Sequence, residues 1–334
     1  MVCWAALSTL IAVSGLRRGR CAVEECSLIQ AARPCSSRSV SERGHGAHEP
    51  ALWPVVYLHI PKNGGNFMTT VVHAACSGLL SPSFTMVEPP LNMSGAVPDG
   101  CLRRVALLEP GHAPLIGERL RRVPEPKTQH VMAMFREPKQ RLMSGYFHGR
   151  HDCFEPLGKA VAPGCFSQDA NMSSEACRDI LTVSLEEVER YAECVGSCQT
   201  RMVAGDSCNG APASPAQLRI ALDTIEGMGF VGLIGEYELS VCLFHTMFGG
   251  QCQTAEFGDL RRGAKSKRGE GYGAPASPKL DRLLEFDSIT YAAARDRFWR
   301  DVREHHVTRA SCARLCDRPT HVFGRDASMV LAKM

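Results

Sequence analysis

The stretch VVYLHIPKNGGNF, residues 55–67, decides how the chain is read. Its first six residues are apolar and β-branched and lie between Pro54 and Pro61, as expected of a short strand buried in a parallel sheet. The chain then drops into Pro-Lys-Asn-Gly-Gly and resumes an apolar pattern over Phe67–Leu80, which predicts a helix ending near Gly78. A strand that passes through a Gly-rich turn into a helix presents unpaired backbone N–H groups at the positive end of the helix dipole. That is a ready site for phosphate or sulfate. Gly64 and Gly65 let backbone approach an anion with no Cβ between, and Lys62 adds a mobile charge with three donors. An ordinary strand-to-helix turn with a surface lysine has the same pattern, so this motif needs a partner.

The partner is HVMAMFREPKQRLMSGY, residues 130–146. HVMAMF predicts a second strand, Arg136 stands at its end, and Pro138 is suited to the first position of a helix. Arg136 by a bidentate fork and Ser144 by its hydroxyl are candidates for one phosphate, with Arg141 and Tyr146 nearby. A nucleotide-binding P-loop is disfavoured. That motif needs four residues between its glycines and then Lys-Ser/Thr, whereas Lys62 precedes the glycines here.

Elsewhere, Thr182–Arg190, Ala216–Gly227 and Glu238–Phe248 read as helices, FVGLIG (230–235) as a strand, and Leu280–Val302 as one amphipathic helix. Strands alternating with helices point to an α/β fold: a P-loop-like open, mostly parallel sheet flanked by helices, in a single domain with loop insertions. GAPASP occurs at 210–215 and again at 273–278 without repetition of its surroundings, which reads as two low-complexity insertions. The basic, Gly-rich segment 261–273 reads as a solvated loop. The predicted organisation is a signal or anchor segment plus disordered stem over 1–50, rich in Arg, Ser, Gly and His, and the folded domain over 51–334.

Composition narrows the class. In 334 residues a net charge of +3 is too small to imply nucleic acid, so an anion site must be local. Sixteen cysteines without a Cys-x-x-Cys pair favour disulfides over zinc; Cys194 with Cys198 and Cys312 with Cys316 match zinc spacing only loosely. The sequons at Asn92 and Asn171 agree with a glycoprotein of the secretory pathway. Residues 2–16 are uncharged and mostly apolar, the length of a signal-peptide core and short of the roughly 20 residues a membrane span needs. Arg17, Arg18 and Arg20 follow that run, which argues against an anchor with a luminal C-terminus. Secretory entry is expected, with membrane anchoring through residues 2–16 left open.

Taken in order, HIPKNGG and FREPKQRLMSGY resemble the two cofactor-binding signatures of Golgi-type sulfotransferases, the group of the heparan sulfate 2-O- and related carbohydrate enzymes. CQTRMVAG (198–205), FVGLIGEYELSVCLF (230–244) and FDSITYAAARDRF (286–298) are similar to further segments in family order, so the resemblance spans 54–300. It implies the co-substrate 3′-phosphoadenosine 5′-phosphosulfate (PAPS). Lys62, Asn63, Gly64, Gly65, Asn66 and Phe67 would surround the 5′-phosphosulfate, and Arg136 and Ser144 would hold the 3′-phosphate. Family members carry small hydroxyl residues where this chain has Asn63 and Asn66, whose amides can also donate to phosphate oxygens.

The implied reaction is in-line attack of a carbohydrate hydroxyl on sulfur, with Lys62 steadying the leaving side. It asks for no metal, and no carboxylate cluster for one stands in the sequence. A base is required, and His112 in LLEPGHAPLIG resembles the Gly-His segment that carries it in the 2-O-sulfotransferase-like members. His148 and His151 are rivals, Glu109 is a second-line partner, and His59 reads as packed within the strand. The expected acceptor is a glycan or glycoprotein in the Golgi lumen. A tyrosylprotein or small-molecule sulfotransferase, or a non-catalytic disulfide-rich binding protein, are the alternatives, and oligomeric state is left open.

Overall fold

A computed structural model of the chain describes residues 55–86, 112, 114, 115, 127–151, 184–258 and 273–318. The chain divides into two units, Met1–Gly46 and Ala47–Met334, and every described residue belongs to the second. The leader segment, both sequons, Glu109 and most of the basic loop therefore lie outside the described residues.

The architecture is mixed α/β. Three short strands, β1 (Val56–Leu58), β2 (Val131–Phe135) and β3 (Phe230–Leu233), form a parallel sheet in the order β1-β2-β3. Val56 pairs with Val131, and Met132 with Phe230, so all three strands end at the same edge. Every residue of the three strands is buried, which explains why they read as unbroken apolar runs.

Helices flank the sheet. α1 (Phe67–Ala75) follows β1, and α2 (Pro138–His151) follows β2. Next come α3 (Leu185–Val195), α4 (Cys198–Val203) and α5 (Pro215–Gly227) before β3. α6 (Tyr237–Phe248), α7 (Pro278–Leu283), α8 (Glu285–Glu304) and α9 (Arg309–Leu315) complete the described set. Phe67 of α1, Phe230 of β3 and Phe244 of α6 interlock, with ring centroids 5.1–5.5 Å apart, and so fix α1 beside α6. α8 packs on β3 and also meets α4 and α5. Among the described residues no helix is long and apolar enough to cross a membrane.

Three expectations change. The GAPASP copies are helix starts: Ser214 and Ser277 each accept the N–H three residues on, and Pro215 and Pro278 take the first helical position. The single helix expected over Leu280–Val302 is two, α7 and α8, broken at Leu284. There Gly196 lies so close that a Cβ on it would sit 2.5 Å from the Leu283 carbonyl oxygen. α1 stops at Ala75, before the Gly78 turn.

Cysteine usage follows the disulfide expectation. Cys198–Cys208, Cys242–Cys312 and Cys252–Cys316 are bonded, and Cys76 and Cys194 are also in disulfides. Cys312 and Cys316 thus belong to different bridges, both of which tie α9 back to the region of α6.

Candidate anion-binding edge

The first junction leaves backbone open. Lys62 (φ 66°) and Gly64 (φ 80°) both take left-handed conformations, which for a lysine is strained. The turn closes on itself as Asn63 N–H donates to Ile60 O (3.1 Å), Phe67 N–H to Gly64 O (2.9 Å) and Met68 N–H to Gly65 O (3.2 Å). The N–H groups of Gly64, Gly65 and Asn66 find no acceptor among the described residues, and no acid stands in the first turn of α1. Of the amides of residues 64–67, three are therefore open among the described residues and that of Phe67 is used within the turn. Both glycines also sit close to side chains: a Cβ on Gly64 would lie 2.1 Å from Ile234 Cδ1, and one on Gly65 would lie 2.9 Å from His59 Nε2.

The second junction meets the first. Arg136 donates from Nη1 to Lys62 O at 3.3 Å, so the arginine of one motif touches the lysine of the other. Ser144 is buried two turns into α2. Arg141 and Tyr146 are not brought to this edge. Arg141 Nη2 donates to Val195 O and its Nε lies 3.6 Å from Asp287 Oδ2, while Tyr146 donates to Glu187 Oε2 at 2.9 Å. Both are committed to packing α2 against α3 and α8.

Two side chains join the junctions from within. Gln199, on α4, accepts at Oε1 from Asn63 Nδ2 (2.7 Å) and from the Arg136 N–H (3.1 Å). Asn63 Nδ2 also donates to Met134 O (3.0 Å), and its side chain is buried, so its amide ties the turn to β2. Asp287, on α8, accepts from the N–H groups of Gln199 and Thr200 (3.1 and 2.9 Å) and from the Thr200 hydroxyl (2.8 Å). Burial pushes its carboxyl up, and the Arg141 guanidinium and these donors pull it back. Asp287 therefore fixes α4, and α4 presents Gln199. The sequence held a hint of Gln199, in the segment CQTRMVAG, but none of its role.

His112 reaches the same edge. Its Nδ1–H donates to His59 O (3.2 Å), and the two imidazoles lie 4.5 Å apart. With Nδ1–H donating, Nε2 is the nitrogen that carries the lone pair of the neutral imidazole. His59 is corrected: it stands past the last residue of β1, only partly buried, against Gly65. The side chains of His148 and His151 lie outside the described residues. Tyr57 donates to Gly64 O (3.3 Å), and burial drives its phenol far up, so it stays a neutral donor.

The edge thus combines three backbone donors, a lysine, an arginine and an oriented imidazole, a set suited to an anionic ligand with a proton to be removed nearby. No protein-family model matches this chain, and no curated protein or solved structure matches it either.

Proposed function

We propose that the protein is a sulfotransferase that moves the sulfuryl group of PAPS to a hydroxyl of a glycan in the lumen of the secretory pathway. The observation that carries this is the hydrogen bond from Arg136 Nη1 to Lys62 O at 3.3 Å. The two motifs would otherwise be separate surface features; in contact, they offer cationic groups for the two ends of one doubly anionic nucleotide.

The open amides of Gly64, Gly65 and Asn66 would cradle the 5′-phosphosulfate, and Lys62 would neutralise charge growing on the bridging oxygen as the sulfur–oxygen bond breaks. Arg136, with Ser144, would take the 3′-phosphate. His112 would remove the acceptor proton through Nε2, since Nδ1–H is held by His59 O. Gln199 and Asp287 would act as positioning residues.

A second reading, a binding protein that keeps the edge without catalysis, draws on one observation: the Asn63 amide is spent on Met134 O and Gln199 Oε1, where the resembling family has a hydroxyl. One pair of experiments separates the readings. The product nucleotide, 3′-phosphoadenosine 5′-phosphate, should raise the melting temperature, and Lys62→Ala and Arg136→Ala should each abolish the rise. Labelled sulfate from PAPS should then appear on a glycan in a panel of glycans and peptides. Stabilisation without transfer to any acceptor selects the binding protein, and absence of stabilisation removes both.

A further inference from the structure

Away from the anion-binding edge, the last turn of α6 holds a second cluster. His245, Cys252 and Glu256 are all buried, and one ligand atom of each lies within 4.8 Å of the other two. His245 donates from Nδ1 to Gly249 O at 3.0 Å, which turns Nε2 toward Glu256 Oε2, 2.7 Å away, with a proton held between them. The other carboxylate oxygen, Oε1, accepts from the Gln253 N–H at 2.7 Å. Both side chains are wholly out of solvent.

A buried His–Glu pair on its own would serve to pin the 249–257 loop to α6. Two further features go beyond that. The sulfur beside the pair supplies a third ligand type, and imidazole, carboxylate and thiolate are together a donor set for zinc. Each of the two polar ligands is already oriented from behind by a backbone group, as ligands of a metal are. Cys252 is bonded to Cys316, so the sulfur is masked. The neighbouring bridge Cys242–Cys312 independently ties α9 to α6. With Cys252–Cys316 open, the Cys242–Cys312 bridge still holds α9, with Cys316 at its end, to α6. The bonds of Glu256 to His245 and to the Gln253 N–H still hold the loop that carries Cys252.

We propose that this corner is a masked zinc site that forms when the Cys252–Cys316 disulfide is reduced. A thiol reductant, oxidised to its own disulfide, or a phosphine with water, oxidised to the phosphine oxide, supplies two electrons and two protons, and the bond becomes two thiols. Zn²⁺ then displaces the thiol protons and the proton shared by His245 and Glu256. Cys252 Sγ, His245 Nε2 and Glu256 are three ligands, and Cys316 Sγ, freed beside Cys252, is the fourth.

Cys316→Ser exposes the Cys252 thiol without a reductant and spares the other disulfides. The purified full chain carrying Cys316→Ser should bind one equivalent of Co²⁺ with a thiolate-to-metal charge-transfer band. The band should vanish in Cys316→Ser/His245→Gln and in Cys316→Ser/Cys252→Ser, which has neither thiol of the bridge. A folded Cys316→Ser protein without the band, or an equal band in either double variant, overturns the proposal. Should Cys316→Ser not fold, the wild-type chain is treated with a phosphine reductant and Zn²⁺ and then desalted. It should retain one more zinc than His245→Gln treated alike; equal retention, or loss of helical circular dichroism on reduction, overturns it.

Discussion

The junction after β1 and the junction after β2 are built alike and finished differently. Both run from a buried parallel strand into a helix at the same edge of the sheet. After β2, the Glu137 carboxylate accepts the N–H groups of Lys139 (3.1 Å) and Gln140 (2.7 Å), so α2 carries its own anion. After β1 no acid stands in the first turn of α1, and three successive amides stay open among the described residues. The first junction thus offers backbone, and the second offers a side chain, Arg136, that crosses to the first. A strand–turn–helix pattern alone does not make an anion site; what already occupies the positive end of the helix decides.

Gly64→Ala is the most severe way to break the contrast, because it strikes only the first junction. The new methyl group would meet Ile234 Cδ1 and would be held at φ 80°. Overpacking and a left-handed Ala together cost about 3 kcal/mol, a fall in Tm on the order of 10 °C for a domain of this size. Thermal denaturation should show that fall and no further rise on adding 3′-phosphoadenosine 5′-phosphate. A variant with wild-type Tm and an intact ligand response would mean that this turn is not the cradle.

Gln199→Ala strikes both junctions at once. It leaves the Asn63 amide with one acceptor fewer and the part-buried Arg136 N–H with none from Gln199, at a cost of about 2 kcal/mol. Tm should fall by less than in Gly64→Ala, while the ligand-induced rise shrinks because Arg136 and Asn63, the neighbour of Lys62, lose their common anchor. If the rise is unchanged in size, the two junctions are held together by the strands alone.

How much of this was legible in the sequence follows from the range of each interaction. The strands and the turn at 61–66 were readable because a buried run and a Gly-Gly pair are local signals. Their meeting was an expectation that only adjacency of β1 and β2 could supply. Gln199 was not readable as a hub, since its partners lie 136 and 63 residues away and the carboxylate fixing its helix 88 residues away. Arg141 and Tyr146 stand near Arg136 in sequence, yet α2 turns both inward, toward acids on α8 and α3. His59 was misread because β1 ends one residue before it. The Ser-Pro helix starts inside GAPASP were readable by their capping chemistry and were hidden by the repetition itself.

Glu137→Ala is the gentlest test and the most discriminating. It removes the carboxylate that accepts from Lys139 and Gln140, at a cost of about 1 kcal/mol as for loss of other helix caps. Tm should drop by only a few degrees. The α2 terminus would then resemble that of α1, with open amides and no acid. If the first junction is the cradle and the second acts through Arg136, the variant keeps its full stabilisation by 3′-phosphoadenosine 5′-phosphate, because no ligand contact depended on Glu137. Added inorganic sulfate should now stabilise it more than it does the wild type, since a second helix terminus has become open to anions. Loss of the nucleotide response as complete as in Gly64→Ala would mean that the two junctions act as one site, with the acid of the second as necessary as the bare backbone of the first.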